Sequence, residues 1–130
     1  KVFNHGHHQR SFTYVSDIVE GVVRILDAPP APDATWDAAR PDPARSGVAP
    51  YRLYNIGSEE TTELMRYIRI IEECLGKKAK MELLPLQPGD VPDTWADVSD
   101  LASVTGYRPQ VGVEEGVANF VRWYRDYYRV

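Results

Sequence analysis

Residues 51–76 read YRLYNIGSEETTELMRYIRIIEECLG, and two hydrophobic periods meet within them. Tyr51 to Ile56 alternates between Pro50 and Gly57, the form of a strand with one covered face. After a polar turn, Leu64, Ile68, Ile71 and Leu75 recur at helical spacing. Thr61 or Thr62 is placed to cap this helix, and Gly76 stands where a left-handed terminal residue is wanted. Lys77 and Lys78 suit the negative end of its dipole, and Cys74, beside the apolar stripe, reads as a small core residue.

The same change of period recurs upstream. Ser11 to Val15 is β-branched and aromatic and predicts a short strand or extended segment. Ser16 or Asp17 then caps a helix whose stripe is Ile18, Val22, Ile25 and Leu26, widened by Val19 and Val23. Downstream, Met81 to Leu86 predicts another strand, Asp97 caps a short helix ending at Gly106, and a last helix over about 113–127 buries Val117, Phe120, Val121 and Tyr124. Between the two halves, residues 28–50 are proline-rich and predict one long loop, pinned where Trp36 packs down. Strands alternating with helices predict an α/β fold without internal repeats.

Composition narrows the function classes. The chain has 130 residues, 43% hydrophobic and 26% charged, as in ordinary globular domains. A net charge of -4 argues against general nucleic-acid binding, which rests on a basic stripe. No apolar run is long enough for a membrane helix, and the N-terminus has no signal-peptide core. One cysteine rules out an internal disulfide framework and fits the cytoplasm. His5, His7 and His8 do not have the paired spacing of a zinc site, and the glycine and asparagine among them read as a polar loop, so no metal is expected.

Chemistry concentrates at two places. Arg10 lies at the mouth of a predicted strand, and Gln87-Pro88-Gly89-Asp90 forms a turn directly after another. Ligands of open α/β sheets collect beyond the carboxyl ends of strands. A guanidinium matches two phosphate oxygens, and a carboxylate accepts from ribose hydroxyls. By spacing alone Arg10 could equally pair with Asp17, and Asp90 could simply close a turn.

Four stretches in order, NHGHHQRSFTYVSDIVEGVVRIL, APYRLYNIGSEETTELMRYI, LPLQPGDVPDTWADVSDL and TGYRPQVGVEEGVANFVRWYRDYY, closely resemble the C-terminal part of bacterial NAD-dependent UDP-glucuronate 4-epimerases. These are extended short-chain dehydrogenases/reductases, and the resemblance spans essentially the whole chain. It implies the C-terminal substrate-binding part of that fold. Residues 1–27 would return to the Rossmann-like domain, 28–50 form a loop, and 51–130 hold the last sheet strand and a small substrate-binding domain. It also implies that Arg10 grips the diphosphate of a UDP-sugar, that Asp90 takes the uridine ribose, and that Gln87 sits beside them. Relatives are commonly homodimers. Ser11 and Ser16 stand where family members usually carry aspartates, neither of them the phosphate ligand. Gln87 stands where UDP-galactose relatives tend to have arginine, which favours the glucuronate branch and weakens the clamp by one charge.

No glycine-rich dinucleotide fingerprint and no Tyr-x-x-x-Lys pair occurs in the chain. The expectation is therefore a piece of a longer enzyme, inactive alone, with no catalytic residues of its own and with NAD held upstream of Lys1. Alternatives are another nucleotide-sugar epimerase or dehydratase, a free-standing nucleotide-binding module, and a proteolytic remnant. Apolar surface left bare on the first helix and on Tyr51 to Ile56 predicts that the chain self-associates.

Overall fold

Two amphipathic helices, α2 (Leu64–Leu75) and α4 (Val113–Tyr128), pack against each other because each carries an apolar stripe that neither can bury alone. Ile70, Val117 and Val121 form the buried centre of this contact, with Tyr67, Ile71, Cys74, Leu75 and Val113 around it. The computed structural model describes all 130 residues. Two further helices, α1 (Val15–Leu26) and α3 (Ser99–Thr105), make a second contact. Val98 and Leu101 are fully buried there, and Gly21 of α1 lets the backbone approach Ile56 and Leu101. Gly76 and Gly106 end α2 and α3 with positive φ, as expected of left-handed caps. Asp97 is expected to cap α3, but the N-cap is Val98, and Asp97 accepts the Ser99 amide at 3.0 Å from one residue further out.

The sheet is much smaller than the sequence predicts. It has three two-residue strands in the order β2-β1-β3, where β1 is Gln9–Arg10, β2 is Thr62–Glu63 and β3 is Asp93–Thr94. β1 pairs antiparallel with β2 and parallel with β3, so Gln9 stands opposite both Glu63 and Asp93. Of the two forms expected for Ser11 to Val15, the extended segment holds over residues 11–14 and not the strand: the ladder stops once the Ser11 amide has reached the Thr94 carbonyl at 3.2 Å, and α1 begins at Val15. Its side chains serve instead as ties to three other parts of the chain. Phe12 stacks on Tyr67 of α2 with ring centroids 3.9 Å apart, and Tyr14 packs over Gly116 of α4. The Ser11 hydroxyl donates to the Ser58 carbonyl, while the Ser58 amide donates to Thr13 Oγ1 at 2.9 Å.

Tyr51 to Ile56 and Met81 to Leu86 also fall short of strands. Each makes one isolated bridge, Arg45 with Arg52 and Val2 with Leu83, because no neighbouring segment continues the ladder. The predicted caps of α1 and α2 are corrected as well. Thr61 donates to Gln9 Oε1 and Thr62 lies in β2, so neither caps α2. Asp17 points into the interior instead of capping α1: its Oδ1 accepts from the Tyr107 hydroxyl at 2.7 Å, and its Oδ2 accepts from the amides of Gln110 and Val111 at 3.2 and 2.9 Å. Ser16 is exposed. On α4, Val117 and Val121 are buried as predicted, but Phe120 and Tyr124 are exposed and join Trp123, Tyr127 and Tyr128 in a ladder of rings.

The loop over 28–50 is irregular yet well tied. Asp33, Asp37 and Asp42 each accept the backbone amide two residues on. Trp36 is half-buried against Gly47 and donates from Nε1 to the Asp42 carbonyl at 3.1 Å, which pins the loop as predicted. Asp100 of α3 receives Arg52 at 2.8 Å and Arg45 at 3.7 Å, and so fastens the loop to the helical part.

The accessible surface is 9251 Å² for 14.7 kDa, against roughly 6,900 Å² for a closed monomer of that mass. Much of the surplus is apolar. On α1, Val15, Val19, Val22, Val23 and Leu26 face outward, with Leu26 at 74% exposure, and Tyr51 and Leu53 are exposed too. These are the two bare surfaces the sequence anticipates.

Candidate functional site

The centre of the sheet is also where the predicted ligand-binding residues meet. Gln87 to Asp90 forms a tight turn closed by the Asp90 amide donating to the Gln87 carbonyl at 3.1 Å. Pro88 supplies the fixed φ of the second position, and Gly89 takes φ 84° at the third, which a type II turn requires. The chain then passes through Val91 and Pro92 into β3, alongside β1. Arg10, at the carboxyl end of β1, folds its guanidinium back over that passage. Its Nη1 donates to the carbonyls of Gln9 and Pro92 at 2.9 and 2.5 Å, and its Nη2 to the Val91 carbonyl at 2.8 Å. The remaining contact of Nη2 is Asp90 Oδ1 at 3.5 Å.

Two of the three predicted residues are thus brought together. Arg10 and Asp90 form a loose pair, with side chains 29% and 33% exposed. Arg10 does not pair with Asp17, which is occupied by Tyr107. Asp90 does close its turn, and its Oδ1 also accepts the Val91 amide at 2.9 Å. Gln87 takes part through its backbone carbonyl only, and the residue is exposed.

The arrangement has a definite chemical capacity. Three carbonyls hold the guanidinium in place and present a fixed cation at a strand end. The 3.5 Å contact to Asp90 is long beside the 2.7–2.9 Å of a tight charge-assisted bond, so it is the contact an incoming anion displaces most easily. Such an anion would then leave the Asp90 carboxylate free to accept from hydroxyl groups beside it.

His8 was expected to be a polar loop residue, and the structure corrects this. It is 5% exposed, its Nδ1 lies 3.0 Å from the Pro92 carbonyl, and its Nε2 lies 3.4 Å from Asp90 Oδ2. His8 and Arg10 are two residues apart on an extended segment and so share a face, which is the signal in the sequence that could have found it. His5 and His7 are exposed, and no group of three metal-capable side chains gathers anywhere in the chain.

Outside this site, a groove of about 570 Å³ runs between the Phe12 to Val15 segment, α2 and α4. Twelve of its 15 lining residues are hydrophobic, and it offers no convergent polar groups for an anionic ligand. Tyr107 sits in the α1–α3 region with its hydroxyl pushed up to about 12, first by burial and then by the Asp17 carboxylate. Neither is adapted to bind a phosphate.

No protein-family model matches the chain. Among known proteins it is similar to Protein CapI of Staphylococcus aureus, 45% identical over 98% of this chain and 38% of the relative. It is similar to the probable UDP-glucuronate 4-epimerase of Rhizobium meliloti, 39% identical over the same shares. Among solved structures it matches a mutant UDP-glucuronic acid 4-epimerase of Bacillus cereus, in complex with UDP-4-deoxy-4-fluoro-glucuronic acid and NAD, with TM-score 0.71 and 25% identity. That match covers 98% of this chain and 35% of the other. The chain therefore spans little more than a third of the length of the proteins it resembles.

Proposed function

We propose, from its similarity along nearly its whole length to part of the UDP-glucuronate 4-epimerases, that the chain is the nucleotide-anchoring part of a nucleotide-sugar 4-epimerase acting on UDP-glucuronate to give UDP-galacturonate. The observation that carries this reading is the meeting of Arg10 and Asp90 at the carboxyl end of β1, with Arg10 held by three carbonyls and only loosely by Asp90. Arg10 takes the diphosphate of the substrate, Asp90 the ribose hydroxyls, and Gln87 borders the uridine side of the turn.

The reaction explains why such an anchor matters. Inversion at C4 requires the sugar ring to present first one face and then the other to the same reaction partner, so the ring must turn while the nucleotide stays fixed. Binding energy spent far from C4 holds the reacting centre in register. NAD, when bound to the whole enzyme, supplies the acceptor and return donor of the C4 hydride.

The residues of this chain do not fit that cofactor. Only α4 begins behind a glycine, Gly112, and its first turn carries Glu114 and Glu115, which repel a pyrophosphate. No chemical step is therefore assigned to residues 1–130. In the complete enzyme, residues 1–27 and 51–56 would lie against the unit that holds NAD, consistent with the apolar surface exposed on α1 and at Tyr51 and Leu53.

Calorimetric titration of the chain with UDP tests the reading. Measurable binding is expected, weakened at least about tenfold by Arg10→Ala. Absence of binding by the wild-type chain, or binding indifferent to Arg10, would refute it.

A further inference from the structure

We infer that His8 is a positioning residue of the nucleotide site, which in its doubly protonated form holds the Asp90 carboxylate for the ribose and frees Arg10 for the diphosphate. This rests on the reading of Arg10 and Asp90 as the anchor, and carries it one residue further.

The ring is buried, and both of its nitrogens face acceptors. A carbonyl oxygen can only accept, so Nδ1, at 3.0 Å from the Pro92 oxygen, carries a proton. Nε2 lies 3.4 Å from Asp90 Oδ2. A neutral ring with its proton on Nδ1 would turn the Nε2 lone pair toward a carboxylate, which is repulsive. The imidazolium instead donates from Nδ1 to the Pro92 carbonyl and sets its charge beside Asp90 Oδ2 as an ion pair at 3.4 Å. Asp90 is then gripped from two sides of one strand face, Oδ2 by His8 and Oδ1 by Arg10.

When a diphosphate draws Nη2 of Arg10 away, His8 keeps the carboxylate oriented and compensates its charge. A deprotonated His8 withdraws that support, so Asp90 competes with the diphosphate for the one remaining cation. Nucleotide binding is therefore strongest with His8 charged. The other ionisable groups on the elements packed here are Glu63 on β2 and Asp93 on β3, both opposite Gln9, with Asp93 Oδ1 taking the Gln9 amide at 3.1 Å. Neither makes an ion pair with His8.

Two measurements on the chain test this. Long-range proton–nitrogen NMR reads the protonation of each ring nitrogen across the pH range. Nδ1 of His8, which faces the Pro92 carbonyl, should carry a proton throughout, and both ring nitrogens should carry one at the acid end of the range. A His8 without a proton on Nδ1, or singly protonated at the acid end of the range, would overturn the inference. In parallel, UDP affinity should fall about three- to tenfold between pH 6 and pH 8, the weight of one partly exposed charge pair. His8→Gln, which can still donate to one acceptor, should flatten that profile; a profile unchanged in His8→Gln would count against the proposal. If the wild-type chain binds no UDP at any pH, the nucleotide reading fails and takes this role with it. The ring spectrum, which needs no ligand, separates that failure from a wrong assignment of His8.

Discussion

Asp17→Asn is the most informative perturbation of the fold. The native carboxylate is 5% exposed and satisfies three donors, the Tyr107 hydroxyl and the amides of Gln110 and Val111. The asparagine has a single acceptor oxygen: turned toward Gln110 and Val111, it leaves its NH2 to a Tyr107 hydroxyl that must give up its own donation, and the charge-assisted bonds become neutral ones. If the oxygen keeps Tyr107, two backbone amides lose their acceptor. Hydrogen bonds to charged groups are worth about 1.5–3 kcal/mol each, and a buried unpaired donor costs a similar amount. After local relaxation, a net loss of about 3 kcal/mol is expected. Unfolding entropy near 2.1 cal/mol/K per residue over this chain converts that to a fall of roughly 11 °C in Tm. Thermal denaturation followed by circular dichroism, at one fixed protein concentration, measures it. Tyr107→Phe, alone and combined with Asp17→Asn, supplies a double-mutant cycle in which the two losses should be less than additive. A Tm drop under about 4 °C for Asp17→Asn, or strictly additive losses, would refute the assignment of Asp17 as the acceptor that ties residues 107–111 to α1.

Gly57→Ala should also destabilise, by about 1–3 kcal/mol, because the added Cβ would stand 2.8 Å from that of Ala96; an unchanged melting curve would mean that the 57–58 turn and Ala96 are free to separate. The exposed faces of α1 and of residues 51–53 predict self-association, which sedimentation equilibrium reads directly, and Val19→Glu with Val23→Glu should shift it toward monomer; a wild-type chain that stays monomeric at all concentrations would contradict this. Lowering the pH should cost stability. Glu72, hydrogen-bonded by Lys78 and the Ala79 amide, and Asp97, bonded by Ser99, are held below the usual carboxylate range. Their contribution is complete above the unfolded-state values near 4 and is lost as pH falls through the lower folded-state ones. Urea midpoints that do not decline over that interval, or that decline equally in Glu72→Gln, would count against these bonds.

The helices were legible because a stripe of apolar residues and a glycine at φ > 0 are local signals that tertiary context reinforced, as in α2 with Gly76 and α3 with Gly106. The strands were not. Tyr51 to Ile56 has the alternation of a strand, but a strand is defined by its neighbour, and only Arg52 has one. The aspartate at the start of α1 shows a similar ambiguity: the residue type that caps a helix is also the one that accepts buried donors, and Tyr107, 90 residues away, decided between them. In the candidate site, the residue types of Arg10 and Asp90 were enough to single them out, while their mutual contact depended on β1 and β3 lying parallel. His8 was missed because a histidine among glycine and asparagine reads as a loop residue, and only the period of two shared with Arg10 marks it as facing the same way.

The central strand, finally, has a consequence for how the molecule assembles. β1 is two residues long, and its parallel partner lies 84 positions further along the chain. Closing a loop of that length costs about 2 kcal/mol more than closing one of ten residues, with only a few ladder bonds in return. Such high contact order delays the step relative to the helices, which form from near neighbours. The meeting of Arg10 with Asp90 should therefore be among the last events of folding, and the amides of Ser11 and Gln9, which donate to Thr94 and Pro92, should gain protection from hydrogen exchange later than those of α2. The site then serves as a checkpoint: a chain able to hold its ligand has already brought β3 across 84 residues to β1.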